Sequence, residues 1–148
     1  MGKAARNKQV RRDAMAQREA SRAAVRELYE RVPALACQGR CQDSCGPIEM
    51  STIERKVLDD RGFHIPPVTM KSLPLLIVSQ SMCPALSEGR CSVYDDRPML
   101  CRLWGATVDM SCPWGCEPIE GPLLDSAQGR QLLRESFERG GKPTGGIG

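Results

Sequence analysis

The chain has few aromatic side chains and a single histidine. Trp, Tyr and Phe together make up 4% of its 148 residues, so a hydrophobic core must depend on aliphatic residues, methionine and cysteine. No apolar run approaches the ~18–20 residues that a membrane-spanning helix needs, which excludes a transmembrane protein. The first 20 residues carry positive charges but no apolar segment. We therefore expect no secretory signal and a cytoplasmic location.

Cysteine, by contrast, is abundant. The chain contains eight, all of them between positions 37 and 116. In a reducing compartment, cysteines stay as thiols or bind metal rather than form disulfides. Four thiolates complete a tetrahedral zinc site or hold an iron–sulfur cluster, and eight is twice that number. We therefore predict binding of zinc or an Fe–S cluster by the following ligands: Cys37, Cys41, Cys45, Cys83, Cys91, Cys101, Cys112 and Cys116.

The residues beside the cysteines support metal ligation. Arginines are direct neighbours of Cys41, Cys91 and Cys101, and a positive charge favours the deprotonated thiolate that a metal requires. The segment Cys112-Pro-Trp-Gly-Cys116 is typical of a turn that carries ligands, because its proline fixes φ and Gly115 permits a positive φ.

The spacing of the thiols argues against three familiar motifs. Only His64 is available for a C2H2 finger, and neither the C-x-x-C of thioredoxin-like proteins nor the C-x3-C-x2-C of radical SAM enzymes occurs. The cysteines at positions 37, 41 and 45 have the spacing of one helical face, but Gly39 and Gly46 favour a loop there. No general acid–base pair can be inferred, which favours a non-catalytic protein.

The most distinctive block of sequence lies between Cys83 and Trp104. Cys83-Pro84 is followed by Gly-Arg-Cys-Ser-Val-Tyr-Asp-Asp-Arg-Pro-Met-Leu-Cys-Arg-Leu-Trp, which contains Cys91 and Cys101. This order resembles the YkgJ-type cysteine-cluster family, a zinc- or iron-chelating domain that is sometimes labelled an Fe–S oxidoreductase. The resemblance covers about residues 37–116 and implies metal binding. The family opens with C-x2-C-x2-CC, whereas this chain has C-x3-C-x3-C, so the later Cys112/Cys116 pair is the candidate for the missing ligands.

Positive charge is concentrated at the N-terminal end. Residues 1–31 hold nine Lys and Arg against four Asp and Glu, although the whole chain carries only +3. Their composition predicts a helix, with Val25, Leu28 and Tyr29 on its apolar face. Such a helix would bind nucleic-acid phosphates weakly and without sequence preference. The alternative is a solvated helix that packs on the body or contacts a protein partner, which the lack of interleaved aromatic residues favours.

We expect a small α+β fold, mostly α and loop-rich, that is organised by metal. The predicted divisions are a basic N-terminal helix or arm at 1–32, a cysteine-cluster metal-binding domain at 33–140 and a flexible tail at 141–148. A capping box at Ser51 and Glu54 predicts a helix that runs to about Arg61. The other predicted elements are a buried strand at Leu75–Ser79, a short strand at Cys91–Tyr94, a helix at Pro98–Leu103 and a last helix from Asp125 or Ser126 to Gly140.

The sequence leaves two classes of function open. One is a non-catalytic metal-binding module whose basic arm binds nucleic acid or a protein. The other is an Fe–S redox or accessory protein that supports another enzyme. Neither class involves a membrane.

Overall fold

The computed structural model describes residues 2–40, 45–46, 48–67 and 82–143. Its helices and strands are α1 Lys3–Tyr29, α2 Thr52–Asp60, β1 Leu86–Ser87, β2 Arg90–Cys91, α3 Met99–Leu103 and α4 Ser126–Gly140, with short 3-10 turns at Tyr94–Asp96 and Val108–Met110. This arrangement confirms the predicted mostly-α type of α+β fold in one small domain. The strand predicted at Leu75–Ser79 and the last five residues of the predicted tail lie outside the described residues.

The two ends of α1 have different surroundings. Residues 2–20 are exposed throughout, whereas Val25 and Leu28 are buried, as their spacing predicts. Leu28 packs with Met99, Leu103 and Leu132 in a core cluster where α1, α3 and α4 meet. The C-terminal part of α1 is therefore anchored to the body, while its first five turns lie in solvent. Among the described helices, including this long one, none combines the length and apolar character needed to cross a bilayer.

Helix α2 begins at the predicted capping box. The backbone N–H of Glu54 donates to Ser51 Oγ at 3.3 Å, and the Glu54 carboxylate accepts the Ser51 N–H at 2.9 Å. The same buried carboxylate accepts hydrogen bonds from Tyr29 Oη on α1 and from the Met99 N–H on α3, both at 2.7 Å. Glu54 therefore joins three helices, because one carboxylate can accept several hydrogen bonds.

A second core cluster lies beside α2 and the β1–β2 hairpin. Its buried members are Met50, Leu58, Ile65, Ala85 and Val93, and the partly buried Cys83 and Cys91 pack against it. No aromatic side chain is among its buried members, so this part of the described structure has a small core.

Strand β2, Arg90–Cys91, is shorter than the strand predicted at Cys91–Tyr94 and forms a hairpin with β1. Leu86 pairs with Cys91, and the two residues of the turn, Glu88 and Gly89, have φ values of 50° and 75°, as a type I′ turn requires. The Ser92 N–H still donates to the Ala85 carbonyl at 2.8 Å, which continues the hairpin ladder by one bond. The strand ends at Cys91 rather than at Tyr94 because the chain turns at Val93 into the 3-10 turn Tyr94–Asp96.

Helix α3 starts one residue later than predicted. Pro98 has an extended ψ of 163° and is the N-cap rather than the first helical residue. The structure confirms the predicted limits of α4, which has Asp125 as N-cap in a capping box with Gln128 and is followed by Gly141 at φ 93°.

Candidate metal centre

Four cysteines from separate segments of the chain lie within electrostatic reach of one another. They are Cys45, Cys83, Cys91 and Cys101, which we call the first thiol group. The Cys83 N–H donates to the Cys45 carbonyl oxygen at 3.3 Å, and the β1–β2 hairpin turns the chain so that Cys91 follows close to Cys83. Cys101 comes from α3, which Glu54 positions through the Met99 N–H.

The thiols of the first group make each other harder to ionise. Burial raises the pKa of Cys101 to about 12, and the neighbouring Cys83, Cys91 and Cys45 act in the same direction. Burial also raises the pKa of Cys91, to which Cys83 contributes. A site that brings several potential anions together in this way fits a cation, because a coordinated metal ion deprotonates its thiol ligands outright.

Arg97 is the basic residue that acts on this group. Its charge lowers the pKa of both Cys91 and Cys101, against the effect of burial. Its Nε donates to the Tyr94 carbonyl at 2.9 Å, and its guanidinium stacks on the Tyr94 ring at 3.7 Å. Because of these contacts, the positive charge is held in a defined position.

Arg102 follows Cys101 in the sequence, but its side chain contacts backbone carbonyl oxygens and an aromatic ring. Its guanidinium donates to the carbonyl oxygens of Arg97 and Asp95 at 2.7 and 2.6 Å and lies 3.9 Å from the centre of the Tyr29 ring. Adjacency in sequence therefore does not identify the basic partner of the thiol.

Three other cysteines form a second thiol group, which consists of Cys37, Cys112 and Cys116. An isolated antiparallel bridge pairs Leu35 with Pro118, and the Ala36 N–H donates to the Glu117 carbonyl at 3.0 Å. These contacts lay the segment after α1 along the segment before α4. As a result, Cys37 lies beside Cys116 and acts to raise its pKa, as the Cys112 thiol also does.

Backbone N–H groups act on the thiols of the second thiol group. The Gly39 N–H donates to Cys37 Sγ at 3.3 Å. The N–H groups of residues 114–116 act to lower the pKa of Cys112, and the Gln38 N–H acts to lower the pKa of Cys116. Gly115 adopts the predicted positive φ, at 77°, and its N–H closes the turn by donating to the Cys112 carbonyl oxygen at 3.1 Å.

The two thiols of this pair have pKa values shifted in opposite directions. Desolvation acts to raise the pKa of Cys112, but the backbone N–H groups and the Cys116 thiol outweigh it and lower that pKa. The Gln38 N–H acts to lower the pKa of Cys116, yet desolvation and the two neighbouring thiols raise it. Cys112 therefore ionises more readily than Cys116.

Seven of the eight predicted ligands thus fall into the two groups, and Cys41 lies outside the described residues. Cys37 and Cys45 are in non-helical backbone, which agrees with the predicted loop. Within the described ranges, no three His, Cys, Asp or Glu side chains are yet arranged so that they could hold a metal ion. Ligation would therefore require the thiol side chains to turn towards a common centre.

Two further observations bear on the predicted ligands. His64 is exposed and lies beside Asp59, with Nδ1 and Oδ1 3.2 Å apart. The structure contains thiols rather than disulfides at Cys37, Cys83, Cys91, Cys101, Cys112 and Cys116.

No protein-family model, curated protein or solved structure matches this chain. The resemblance of the Cys83–Trp104 block to the YkgJ-type family therefore stays a prediction.

Proposed function

We propose that this chain is a cysteine-ligated metal protein in which the first thiol group binds zinc or an Fe–S cluster. The observation that carries the proposal is the convergence of four cysteines from distant segments beside the second core cluster. Four sulfur ligands are a complete donor set for tetrahedral zinc and for iron–sulfur clusters. Without a cation, the negative charge of one ionised thiol disfavours ionisation of the others, and burial already raises the pKa of two of the four, Cys91 and Cys101.

The metal would stabilise the part of the described structure around α2 and the β1–β2 hairpin. Its ligands come from the segment before α2, from the two ends of the β1–β2 hairpin region and from α3. A link among these segments supplements a core without buried aromatic side chains. In this role the chain is a non-catalytic cytoplasmic module. If the same ligands held an Fe–S cluster, the chain would be a redox or accessory protein that supports another enzyme.

We also propose that the exposed part of α1 binds nucleic-acid phosphates. Residues 2–20 lie in solvent and carry six basic side chains against two acidic ones: Lys3, Arg6, Lys8, Arg11, Arg12 and Arg18, with Asp13 and Glu19. Basic side chains on a helix in solvent can reach a phosphate backbone without distortion of the domain. No base-reading motif accompanies them, so the binding would be independent of sequence. A protein partner on the same helix is the alternative.

Anaerobic purification followed by metal analysis and an absorption spectrum tests the main proposal. Bound iron with absorption near about 400 nm identifies an Fe–S cluster, whereas a colourless protein with stoichiometric zinc identifies a zinc site. The variants Cys91→Ser and Cys101→Ser should each lose bound metal, while the exposed His64→Gln control should keep it. Full metal content in both cysteine variants would refute the proposal for the first thiol group.

A further inference from the structure

We propose that the nucleic-acid surface of this chain extends from the exposed arm onto the folded body, where Arg22, Arg26 and Arg61 contact phosphates of the same double-stranded ligand. We call these three residues the junction arginines, because they lie where α1 meets the end of α2. The inference rests on the proposed binding of nucleic acid by α1. It adds a second set of contacts on the body and the class of ligand, a duplex rather than a single strand.

A row of basic side chains follows one face of α1. Spacings of three, seven, four and four residues place the following side chains on the same side of the helix: Lys8, Arg11, Arg18, Arg22 and Arg26. At 1.5 Å per residue, the row is about 27 Å long. Because α1 is one unbroken helix from Lys3 to Tyr29, the row continues from the arm in solvent to the part of α1 that packs on the body.

At the body, the row of α1 meets a basic residue of α2. Arg26 Nη2 lies 3.8 Å from Asp96 Oδ1, and Arg61 Nη2 lies 2.8 Å from Asp96 Oδ2. One carboxylate is thus shared by two guanidinium groups and cannot neutralise both. The two arginine side chains are 60% exposed and that of Asp96 is 10% exposed, so the positive groups form the surface here. An exposed ion pair contributes little to stability, and either guanidinium can therefore turn to a phosphate at small cost.

Arg22 adds a positive charge that the fold does not use. It lines a cavity of about 20 Å³ between α1 and α2, together with Arg26, Glu54 and Asp96. None of the ion pairs in the described ranges includes Arg22, and its buried Nε has no hydrogen-bond partner there. Of the two carboxylates that line the cavity, Glu54 accepts the hydrogen bonds described above and Asp96 pairs with the other junction arginines.

The size of this cavity indicates what kind of anion the junction arginines can bind. A volume of about 20 Å³ holds about one water-sized group and is far smaller than a pocket for a small-molecule ligand. The anion is therefore a group on a larger molecule that lies across the surface. Phosphates of a nucleic acid that already contacts the arm meet this requirement, because the row of α1 leads directly to the junction.

The surroundings of the row favour a duplex over a single strand or a membrane. A straight row of about 27 Å matches a stiff rod, and a DNA duplex is stiff over about 150 base pairs. A single strand requires aromatic side chains on which its bases stack, but the one aromatic residue of α1, Tyr29, bonds to Glu54 and is covered by Arg102. A membrane surface requires an apolar stripe, whereas the exposed Val10 and Met15 are five residues apart and lie on different sides of the helix.

Binding of the full chain to a DNA duplex of about 20 base pairs, measured by fluorescence anisotropy over a range of salt concentrations, tests the inference. The double variant Arg22→Gln/Arg61→Gln should make the slope of log K against log salt shallower by about 2, because each lost phosphate contact removes about 0.9. The control Arg130→Gln/Arg134→Gln removes the same charge from exposed positions of α4 and should keep most of the wild-type slope. A single strand of the same length should bind more weakly than the duplex.

A second variant acts in the opposite direction. Asp96→Asn removes the carboxylate that Arg26 and Arg61 share, so the affinity for the duplex at low salt should rise by about fivefold. Glu138→Gln is the matched control, since it changes the net charge equally at an exposed position of α4. It should raise the affinity by less than about twofold.

The outcomes separate this inference from the proposed function. If the intact protein binds the duplex and the double variant keeps the wild-type slope, the junction arginines have no part in binding, while the proposal for the arm stands. If the double variant fails to fold, Asp96→Asn decides the question, and an affinity no higher than that of Glu138→Gln would overturn the inference. Equal affinity for the single strand would overturn the assignment of a duplex. Binding to vesicles that contain phosphatidylserine, without binding to the duplex, would overturn both this inference and the proposed function of the arm.

Discussion

Tyr29 Oη donates a 2.7 Å hydrogen bond to Glu54 Oε1, which ties the end of α1 to the first turn of α2. Burial raises the pKa of Tyr29, and the Glu54 charge adds to this effect, so the phenol keeps its proton as a donor. The same oxygen of Glu54 accepts the Met99 N–H at 2.7 Å. Because Met99 begins α3, this carboxylate also positions the helix that carries Cys101.

Replacement of Glu54 by alanine should destabilise the protein strongly. The substitution leaves the Tyr29 hydroxyl and the Met99 N–H without their acceptor, and each buried unsatisfied donor costs about 1–3 kcal/mol. We expect the free energy of unfolding, measured by urea denaturation, to fall by about 3 kcal/mol. The matched control is Glu27→Ala, since Glu27 is an exposed carboxylate that pairs with Arg139 at 3.4 Å. It should change the free energy by less than about 0.5 kcal/mol. Equal effects of the two substitutions would contradict the role given to Glu54.

The end of α4 should not tolerate a side chain at Gly140. A Cβ there would lie 2.4 Å from Ser51 Oγ and 2.8 Å from Ile53 Cγ2, so the start of α2 would have to move. We expect Gly140→Ala to lower the free energy of unfolding by about 1–3 kcal/mol, although alanine is the better helix former. Gly2→Ala is the control, because nothing lies within 4 Å of its added Cβ. A Gly140→Ala protein as stable as this control would show that the two helix ends do not pack as described.

The helix ends could be predicted from the sequence because capping is a local pattern. Ser51 with Glu54 predicts the start of α2, and Asp125 lies directly before the first residue of α4. The hydrogen bonds that the Glu54 carboxylate accepts from the Tyr29 hydroxyl and the Met99 N–H could not be predicted. They depend on Tyr29 and Met99, which are distant along the chain and are brought close only by packing.

The same distinction applies to the cysteines. The sequence predicts them as ligands but cannot divide them, since Cys37 and Cys116 are neighbours only through the Leu35–Pro118 bridge. The sequence also suggests the wrong arginine for Cys101. Arg102 is adjacent along the chain, but its guanidinium donates to the carbonyl oxygens of Arg97 and Asp95, and it is the Arg97 charge that acts on Cys101.

Removal of the basic arm should abolish most of the binding to nucleic acid. Contacts with about five phosphates would give a slope of log K against log salt of about −4 to −5 on duplex DNA. Deletion of residues 1–20 removes six basic side chains from the exposed part of α1, so most of that slope should disappear while the metal content stays unchanged. The control is Arg130→Gln/Arg134→Gln, which removes two exposed basic side chains of α4 and should keep most of the slope. No gel shift of the intact protein at low salt would contradict this proposal and favour a helix that only packs or contacts a protein.

The most direct measurement of the central claim is a thermal melt of the anaerobically purified protein before and after chelation, with zinc and iron quantified in both samples. Structural zinc contributes roughly 10 kcal/mol or more of apparent folding free energy. We therefore expect bound zinc or iron in the first sample and a much lower melting temperature once it is removed. Readdition of the metal should restore the original melt. A protein that contains neither metal, or whose melting temperature is unchanged after confirmed removal, would contradict the claim that thiol-bound metal holds this fold together.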